Sequence, residues 1–211
     1  MRLLALKSKR LINKFIIIFL VNSLIFFCFG SVEASCKNLR ENSNNLKQIN
    51  INFKKNRKWL TNISQILILS ELHKREWNIN YYLDKKYKKR FKANIEFVYD
   101  KDKKCSFPGR VRYHGDYTDH INFSDGNVVS SLNVKLDEGN FNNITNFLLL
   151  LPETRKDDNE IFIATLMKQA GYLSPRTFYQ NAKINGKVKK YIFQEFIGKE
   201  FLENNNRVEG P

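Results

Sequence analysis

Two imidazoles and two carboxylates lie within seven consecutive residues, His114-Gly115-Asp116-Tyr117-Thr118-Asp119-His120. Histidine and aspartate side chains are common ligands of zinc and other divalent ions. No helical His-Glu-x-x-His spacing accompanies them, and Gly115-Asp116 is also ordinary turn chemistry. The pattern therefore favours a turn or a phosphate-facing loop over a metal site, and we assign no metal ligands.

A run of basic and aromatic residues, Lys-Lys-Tyr-Lys-Lys-Arg-Phe-Lys, occupies positions 85–92. Cationic side chains interleaved with aromatic ones are typical of surfaces that follow a phosphate backbone and stack bases. The alternative is a solvated helix or strand edge, where lysine discourages pairing with other strands. The chain also contains no Gly-x-Ser-x-Gly elbow and no Walker-type phosphate loop, so nucleophilic hydrolysis has no candidate residues.

The first 34 residues have the organisation of a secretory signal peptide. Basic residues are followed by the apolar run 15–30 and by small residues up to Ala34. That run has 16 residues, fewer than the ~20 of a membrane-spanning helix, and an uncleaved N-terminal anchor is the alternative. A lipoprotein signal at Cys36 fits less well, because Glu33 stands where an aliphatic residue is required. We therefore expect a secreted, periplasmic or cell-envelope protein.

Cleavage after Ala34 leaves 177 of the 211 residues, enough for one domain with a hydrophobic core. The removed segment carries five Lys or Arg and one Glu, so the net charge falls from +15 to +11. This excess favours an anionic polymer or an acidic membrane surface as partner, and export argues against nucleic acid. Cys36 and Cys105 remain as an even pair in an oxidising compartment, which is compatible with one disulfide.

Hydrophobic periodicity predicts a single domain over residues 58–211, preceded by a polar leader at 35–57. The expected elements are a helix at 58–77, a hairpin at 95–113, strands at 131–136 and 147–151, a helix after Asp157, a hairpin at 177–196 and a short helix at 199–204. Asp157 and Glu160 have the spacing of a capping box, and Asn185-Gly186 that of a hairpin turn. The predicted fold class is α+β, a mainly antiparallel sheet with flanking helices.

Four segments occur in an order that is similar to that of a known family. They are Arg112-Tyr113-His114-Gly115-Asp116, Ser130-Ser131-Leu132-Asn133-Val134-Lys135-Leu136, Gly171-Tyr172-Leu173-Ser174-Pro175-Arg176-Thr177 and Phe193-Gln194-Glu195-Phe196. With the Asn185-Gly186 hairpin, they resemble the CotH kinase family, the spore-coat protein H group of secretory kinases. The family typically shows Arg-x-Arg-Gly-Asn, Lys-x-Ser-x-Lys and Gly-x-Pro-x-Pro-Arg segments. The resemblance covers residues 109–204.

This resemblance implies a nucleotide site in the N-terminal lobe of an atypical kinase-like fold. Arg112 and Gly115 match the Arg and Gly of the family's loop. Lys135 matches the second lysine of the strand segment, which in kinase-like folds contacts nucleotide phosphates. Glu195 matches the acidic residue of the segment beside the adenine site. The implied cofactor-binding residues are Arg112, Gly115, Lys135 and Glu195, and the implied cofactors are ATP and Mg.

Two departures limit the activity that the resemblance implies. His114 and Asp116 stand where the family loop has Arg and Asn, and an acid there would repel a phosphate. The family's magnesium-binding acids follow the Gln-Glu hairpin, whereas here Glu200 and Glu203 alone follow at plausible spacing before Pro211. We therefore expect the nucleotide-binding N-terminal portion of a secretory protein kinase, incomplete at the C-terminus and inactive as written.

Two functions of other classes are compatible with the same sequence. One is a non-catalytic binding module of the cell envelope or coat that keeps the fold for interaction alone. The other is a basic secreted protein that binds an anionic polymer through residues 85–92, with an affinity that falls steeply with salt. The kinase interpretation adds an exported protein as substrate. Whether ATP binds at Lys135 separates it from the other two.

Overall fold

The computed structural model describes residues 45–77, 82–99, 103–124, 126–208 and 210. The predicted signal peptide, its apolar run and Cys36 lie outside this part of the chain. Within the described ranges, no helix is both long and apolar enough to span a membrane.

Strands dominate the described part of the chain. They are β1 (Leu46–Phe53), β2 (Phe91–Tyr99), β3 (Lys104–Tyr113), β4 (Ile121–Ser124), β5 (Asn127–Ser130), β6 (Leu132–Leu136), β7 (Asn146–Leu150), β8 (Thr177–Ile184) and β9 (Lys187–Glu195). The α-helices are α1 (Asn56–Trp77), α2 (Asn159–Gln169) and α3 (Lys199–Asn204). Single 3-10 turns lie at Lys85–Tyr87, Thr118–His120 and Pro152–Arg155.

Seven of these strands form a closed barrel in the order β1-β2-β3-β6-β7-β9-β8. Neighbouring strands pair antiparallel, except that β8 and β1 close the barrel in parallel, with Ala182 opposite Ile49. Strands β4 and β5 form a separate two-stranded hairpin that is inserted between β3 and β6. Closure leaves the barrel strands without a free edge for pairing with another chain.

Alternate side chains of the barrel strands fill its interior, as the two-residue period of a strand requires. Phenylalanines dominate the centre. The ring centroids of Phe147 and Phe193 are 4.9 Å apart, those of Phe178 and Phe193 are 4.7 Å apart, and Phe97 stacks on Phe141 at 4.9 Å. Stacked aromatic rings contribute beyond the area that they bury, so this cluster is the main hydrophobic core.

Helices cover parts of the outer surface. In α1, Trp59 is buried and stacks on Phe53 of β1 with ring centroids 4.3 Å apart. In α2, Ile161 packs against a small cluster on the outer face of the barrel, formed by Leu148, Leu150 and Ile192. The other face of α2 is apolar as well and exposed, with Phe162 64% accessible.

The predicted fold class is wrong. Instead of a mainly antiparallel α+β sheet with flanking helices, like the N-terminal lobe of a kinase, the strands close into a barrel. Closure depends on β1, which lies inside the segment 35–57 that we predicted as a polar leader. It also depends on a parallel pairing between β1 and β8, two strands far apart in the chain. Local periodicity shows that a strand exists but not which distant strand it joins, so the closure of the sheet was not predicted.

The structure describes one of the two cysteines of the predicted disulfide. Cys105 is buried on β3 and is disulfide-bonded. Its predicted partner, Cys36, lies outside the described residues, so the pairing of these two cysteines stays a prediction.

Candidate functional site

Two of the predicted site residues lie on the outer face of the barrel, on adjacent strands. Arg112 of β3 stands opposite Asn133 of β6, and Arg110 of β3 stands opposite Lys135. The inward-facing neighbours Val111 and Val134 are fully buried, so alternation directs Arg112 and Lys135 outward. The structure therefore brings Arg112 and Lys135 onto one surface. Along the ladder, the pair Val111–Val134 lies between them.

A third strand adds cations to the same surface. Arg90, just before β2, donates from Nη2 to the Oδ1 atom of Asn133 at 2.9 Å. Burial lowers the pKa of Arg90, and the nearby positive charges of Arg112 and Arg110 lower it further. Arg110 is neutralised by Asp137, whose Oδ1 accepts from Arg110 Nε at 2.7 Å. Arg90 therefore contacts Asn133, and Arg112 stands opposite Asn133 on β3, near enough to affect Arg90 electrostatically.

The chain beyond β3 forms a tight turn that holds two histidines together. The backbone N–H of His114 donates to Ser131, and the N–H of Ser131 donates to the carbonyl of His120, both at 2.9 Å. The two imidazole centroids are 6.2 Å apart. Gly115 lies between them with φ +131°, and a Cβ there would be 2.4 Å from Cδ2 of His120. Only glycine permits this close approach, so Gly115 positions His120 and supplies no side-chain contact of its own.

Arg155, at the end of the 3-10 turn after β7, lies close enough to affect both histidines electrostatically. Burial lowers the pKa of His114 to about 4, and the charges of His120, Arg155 and Arg112 contribute to the shift. Burial also lowers the pKa of His120, in part offset by the charge of Asp119. Both rings are consequently neutral at pH 7.

Unpaired buried nitrogen atoms distinguish this region. Among the described residues, no hydrogen-bond partner exists for Nε of Arg112, Nε of Arg155, Nδ2 of Asn133 or Nδ1 of His120. Asn133 is only 1% exposed. The first three atoms can act only as donors, and each buried donor without an acceptor costs about 1–3 kcal/mol. We call Arg90, Arg112, His114, His120, Asn133 and Arg155 the basic cluster.

Two acidic side chains lie at the margin of the basic cluster, each beside a basic residue. The Oδ1 atom of Asp116 accepts from Lys88 Nζ at 2.6 Å, and this hydrogen bond lowers the pKa of Asp116. Asp119 Oδ1 is 3.6 Å from Nε2 of His120. Within the described ranges, no group of three or more His, Cys, Asp or Glu side chains lies at one point as a metal site requires. The arrangement therefore presents donors, and its missing component is an acceptor.

The fourth predicted residue, Glu195, lies apart from the others. It is 4% exposed at the end of β9, opposite Phe147, and its alternation places it on the inner side. Its two carboxylate oxygens accept from Nε and Nη2 of Arg176, both at 2.9 Å. Arg176 also donates from Nη1 to the carbonyl of Asn142 at 2.7 Å. Glu195 is therefore occupied by a buried bidentate ion pair and does not face Lys135 or Arg112.

The basic side chains of residues 85–92 contact different parts of the fold and do not form one surface. Lys86 pairs with Asp84 at 3.3 Å, Lys88 with Asp116, and Arg90 with Asn133. Sequence reasoning therefore found Arg90 only as a member of this run, and it missed Asn133 and Arg155 as site residues. The register between β3 and β6 places Asn133, and a single arginine after a strand carries no pattern that would have identified Arg155.

No family model matches the chain, and no curated protein matches it. Functional inference therefore rests on the geometry of the basic cluster.

The histidines predict how stability depends on pH. The folded protein keeps His114 neutral down to about pH 4, whereas an ordinary histidine binds a proton near 6.5. Between these values the unfolded chain binds more protons, so the free energy of unfolding falls as the pH decreases, by about 3 kcal/mol for this group. Urea unfolding at pH 7, 6 and 5 measures about 2 kcal/mol of this loss, because the rest falls between pH 5 and pH 4. His114→Gln should flatten the dependence. An identical dependence for wild type and His114→Gln would contradict the assignment.

Proposed function

We propose that this chain is an exported binding module for a phosphate-bearing anion, which it holds at the basic cluster. One observation carries the proposal. Buried nitrogen atoms of Arg112, Asn133 and Arg155 lack acceptors among the described residues, although buried donors in native proteins are almost always paired. These atoms are shielded from solvent, so binding requires the surrounding side chains to open. A bound anion then supplies the missing acceptors and offsets the charge of Arg90, Arg112 and Arg155.

Phosphate fits these donors better than a carboxylate does. A phosphate group offers at least three strong acceptor oxygens, whereas a carboxylate offers two in one plane. The donors come from three separate parts of the chain, β3, β6 and the turn after β7, and a tetrahedral anion can accept from several directions. Arginine is also the side chain best suited to phosphate, because its planar guanidinium donates two parallel hydrogen bonds.

A row of cations extends the positive surface beyond the cluster. Lys92, Arg110 and Lys135 stand opposite one another on β2, β3 and β6. Adjacent strands are about 4.8 Å apart, so these side chains form a line across the outer face. A linear oligophosphate that places one phosphate in the basic cluster would meet Lys135 and Lys92 along this row, whereas Arg110 is paired with Asp137. The proposed ligand is therefore an oligophosphate or a phosphate polymer.

A nucleotide triphosphate belongs to the same ligand chemistry, and the CotH resemblance keeps ATP as a specific candidate. Magnesium fits less well. The carboxylate of Asp116 is paired with Lys88, and the described residues bring no three metal-binding side chains together. We therefore derive no phosphoryl-transfer step here, and kinase activity on an exported substrate stays a prediction from the resemblance.

Isothermal titration with tripolyphosphate tests the proposal on the protein as the cell exports it. We expect saturable binding at one site, weakening by roughly tenfold between 50 and 200 mM NaCl, because cations and anions pair in the complex. Titration with ATP in parallel separates the two ligand sources. Equal affinities indicate that phosphates alone are read, whereas tighter ATP binding indicates contacts to the nucleoside. No saturable binding of either compound would contradict the proposal.

A further inference from the structure

A cavity of about 410 Å³ opens at one end of the barrel, away from the outward-facing row of cations. Its walls come from α1, the β4–β5 hairpin and the turn between β8 and β9. Four buried side chains form its apolar floor: Trp59, Ile63, Leu132 and Tyr191. A volume of this size is in the lower part of the range of small-molecule sites, and barrel mouths are a common place for them.

Exposed apolar side chains surround the entrance. Leu60 is 41% accessible, Val188 is 55% accessible and Phe123 is 64% accessible, and all three line the cavity. They come from the three separate wall elements. Apolar groups gathered around a concave apolar surface are a recognised mark of a binding site, because their exposure to water is unfavourable. The interior of this cavity therefore favours an apolar group.

The charged side chains among the described residues that line the cavity are all basic. They are Lys187 and Lys189, and the described lining includes no acidic residue. Lys189 pairs with Glu153 at 3.0 Å. The side chain of Lys187 is exposed and makes no hydrogen bond or ion pair with another described residue. An amphiphile with an anionic head would place its chain on the apolar floor and its head at Lys187.

We propose that this cavity is a second binding site, and that it takes a small amphiphile with an apolar chain of medium length and an anionic head group. The proposal is independent of the phosphate ligand. It uses other residues on other elements, and the apolar floor has no counterpart in the basic cluster. The volume suits a single chain and is small for a two-chain lipid.

Dodecanoate below its micelle concentration is the first probe. Trp59 lines the cavity and is one of two tryptophans in the chain, so tryptophan fluorescence reports occupancy. We expect a saturable change with one dodecanoate per chain, and no competition from tripolyphosphate. Dodecanol should bind more weakly and dodecyltrimethylammonium weakest, because only the anion pairs with Lys187. Non-saturable binding, displacement by tripolyphosphate or a preference for the cationic amphiphile would overturn the proposal.

Surface variants keep the test independent of folding. Lys187→Gln should weaken dodecanoate binding about fivefold and leave dodecanol binding unchanged, as expected for the loss of one exposed charge pair. Lys183→Gln, an equivalent change on β8 outside the cavity lining, is the matched control and should bind like wild type. Val188→Asp places an acid at the entrance and should abolish dodecanoate binding at an unchanged melting temperature. Wild-type affinity in Val188→Asp would overturn the proposal.

Discussion

Replacing Arg176 with methionine should lower the free energy of unfolding by about 3 kcal/mol, because it leaves the carboxylate of Glu195 buried without its partner. Glu195 is 4% exposed and accepts two hydrogen bonds from the guanidinium of Arg176. The substitution also removes the donor to the carbonyl of Asn142. Urea unfolding at pH 7 measures the loss.

Two further variants show whether the loss comes from the ion pair. The double variant Arg176→Met/Glu195→Met should lose clearly less free energy of unfolding than the two single variants lose in sum, because it leaves no unpaired buried charge. Arg110→Met removes an arginine from the exposed pair with Asp137 and should cost less than about 1 kcal/mol. A similar loss for Arg110→Met and Arg176→Met would contradict a special role of the buried pair.

Replacing Arg112 with glutamine should lower the affinity for tripolyphosphate about 10- to 100-fold, the range expected for hydrogen bonds to a charged group in a buried setting. Arg155→Gln should have a similar effect, because its Nε is also buried without an acceptor in the described structure. Isothermal titration measures both losses. Arg57→Gln, the same change at an exposed position on α1, is the matched control and should leave the affinity unchanged.

The melting temperature of the ligand-free variants is a second measurement, and it should not fall when the affinity does. A structural arginine loses stability when it is replaced, whereas Arg112 carries an unpaired buried donor that is unfavourable without a ligand. We therefore expect the ligand-free Arg112→Gln protein to melt at the wild-type temperature or above it, while the stabilisation by tripolyphosphate largely disappears. A lower melting temperature together with wild-type affinity would show that Arg112 serves the fold and not the ligand.

Local elements followed from the sequence because their signals are local. The Asn185-Gly186 turn has positive φ at both residues, 50° and 84°, and joins β8 to β9 as predicted. The helix at 58–77 and the short helix at 199–204 are also confirmed as α1 and α3. Hairpin turns and amphipathic helices depend on a few neighbouring residues, so a single sequence is sufficient to predict them.

Elements that depend on distant partners were harder to predict from the sequence. Ile49 and Ile51 alternate with polar residues in β1, yet the surrounding Asn and Lys residues led to a prediction of a polar leader. The predicted capping box at α2 is also absent, since the carboxylate of Glu160 accepts from Gln194 of β9 at 2.7 Å. In both places a partner far along the chain determines the structure, and periodicity does not reveal it.

The site shows the same division. Arg112, Gly115 and Lys135 were proposed through the resemblance, and His114 and His120 were singled out because they lie in one short polar segment. Asn133 and Arg155 become site residues only through the pairing of β6 with β3 and the position of the turn after β7. Buried donors without acceptors are a property of the folded chain, so the strongest indication of an anion site was not accessible from sequence.

Side-chain NMR of the ¹⁵N-labelled protein during a tripolyphosphate titration tests the anion site most directly, because it reports on the unpaired nitrogen atoms themselves. We predict that the Nε–H signals of Arg112 and Arg155 and the Nδ2 signals of Asn133 shift together and saturate at one ligand per chain, while Nε–H of Arg57 does not move. Shifts that leave these three residues unchanged, or that appear only among the lysines of residues 85–92, would contradict binding at the basic cluster.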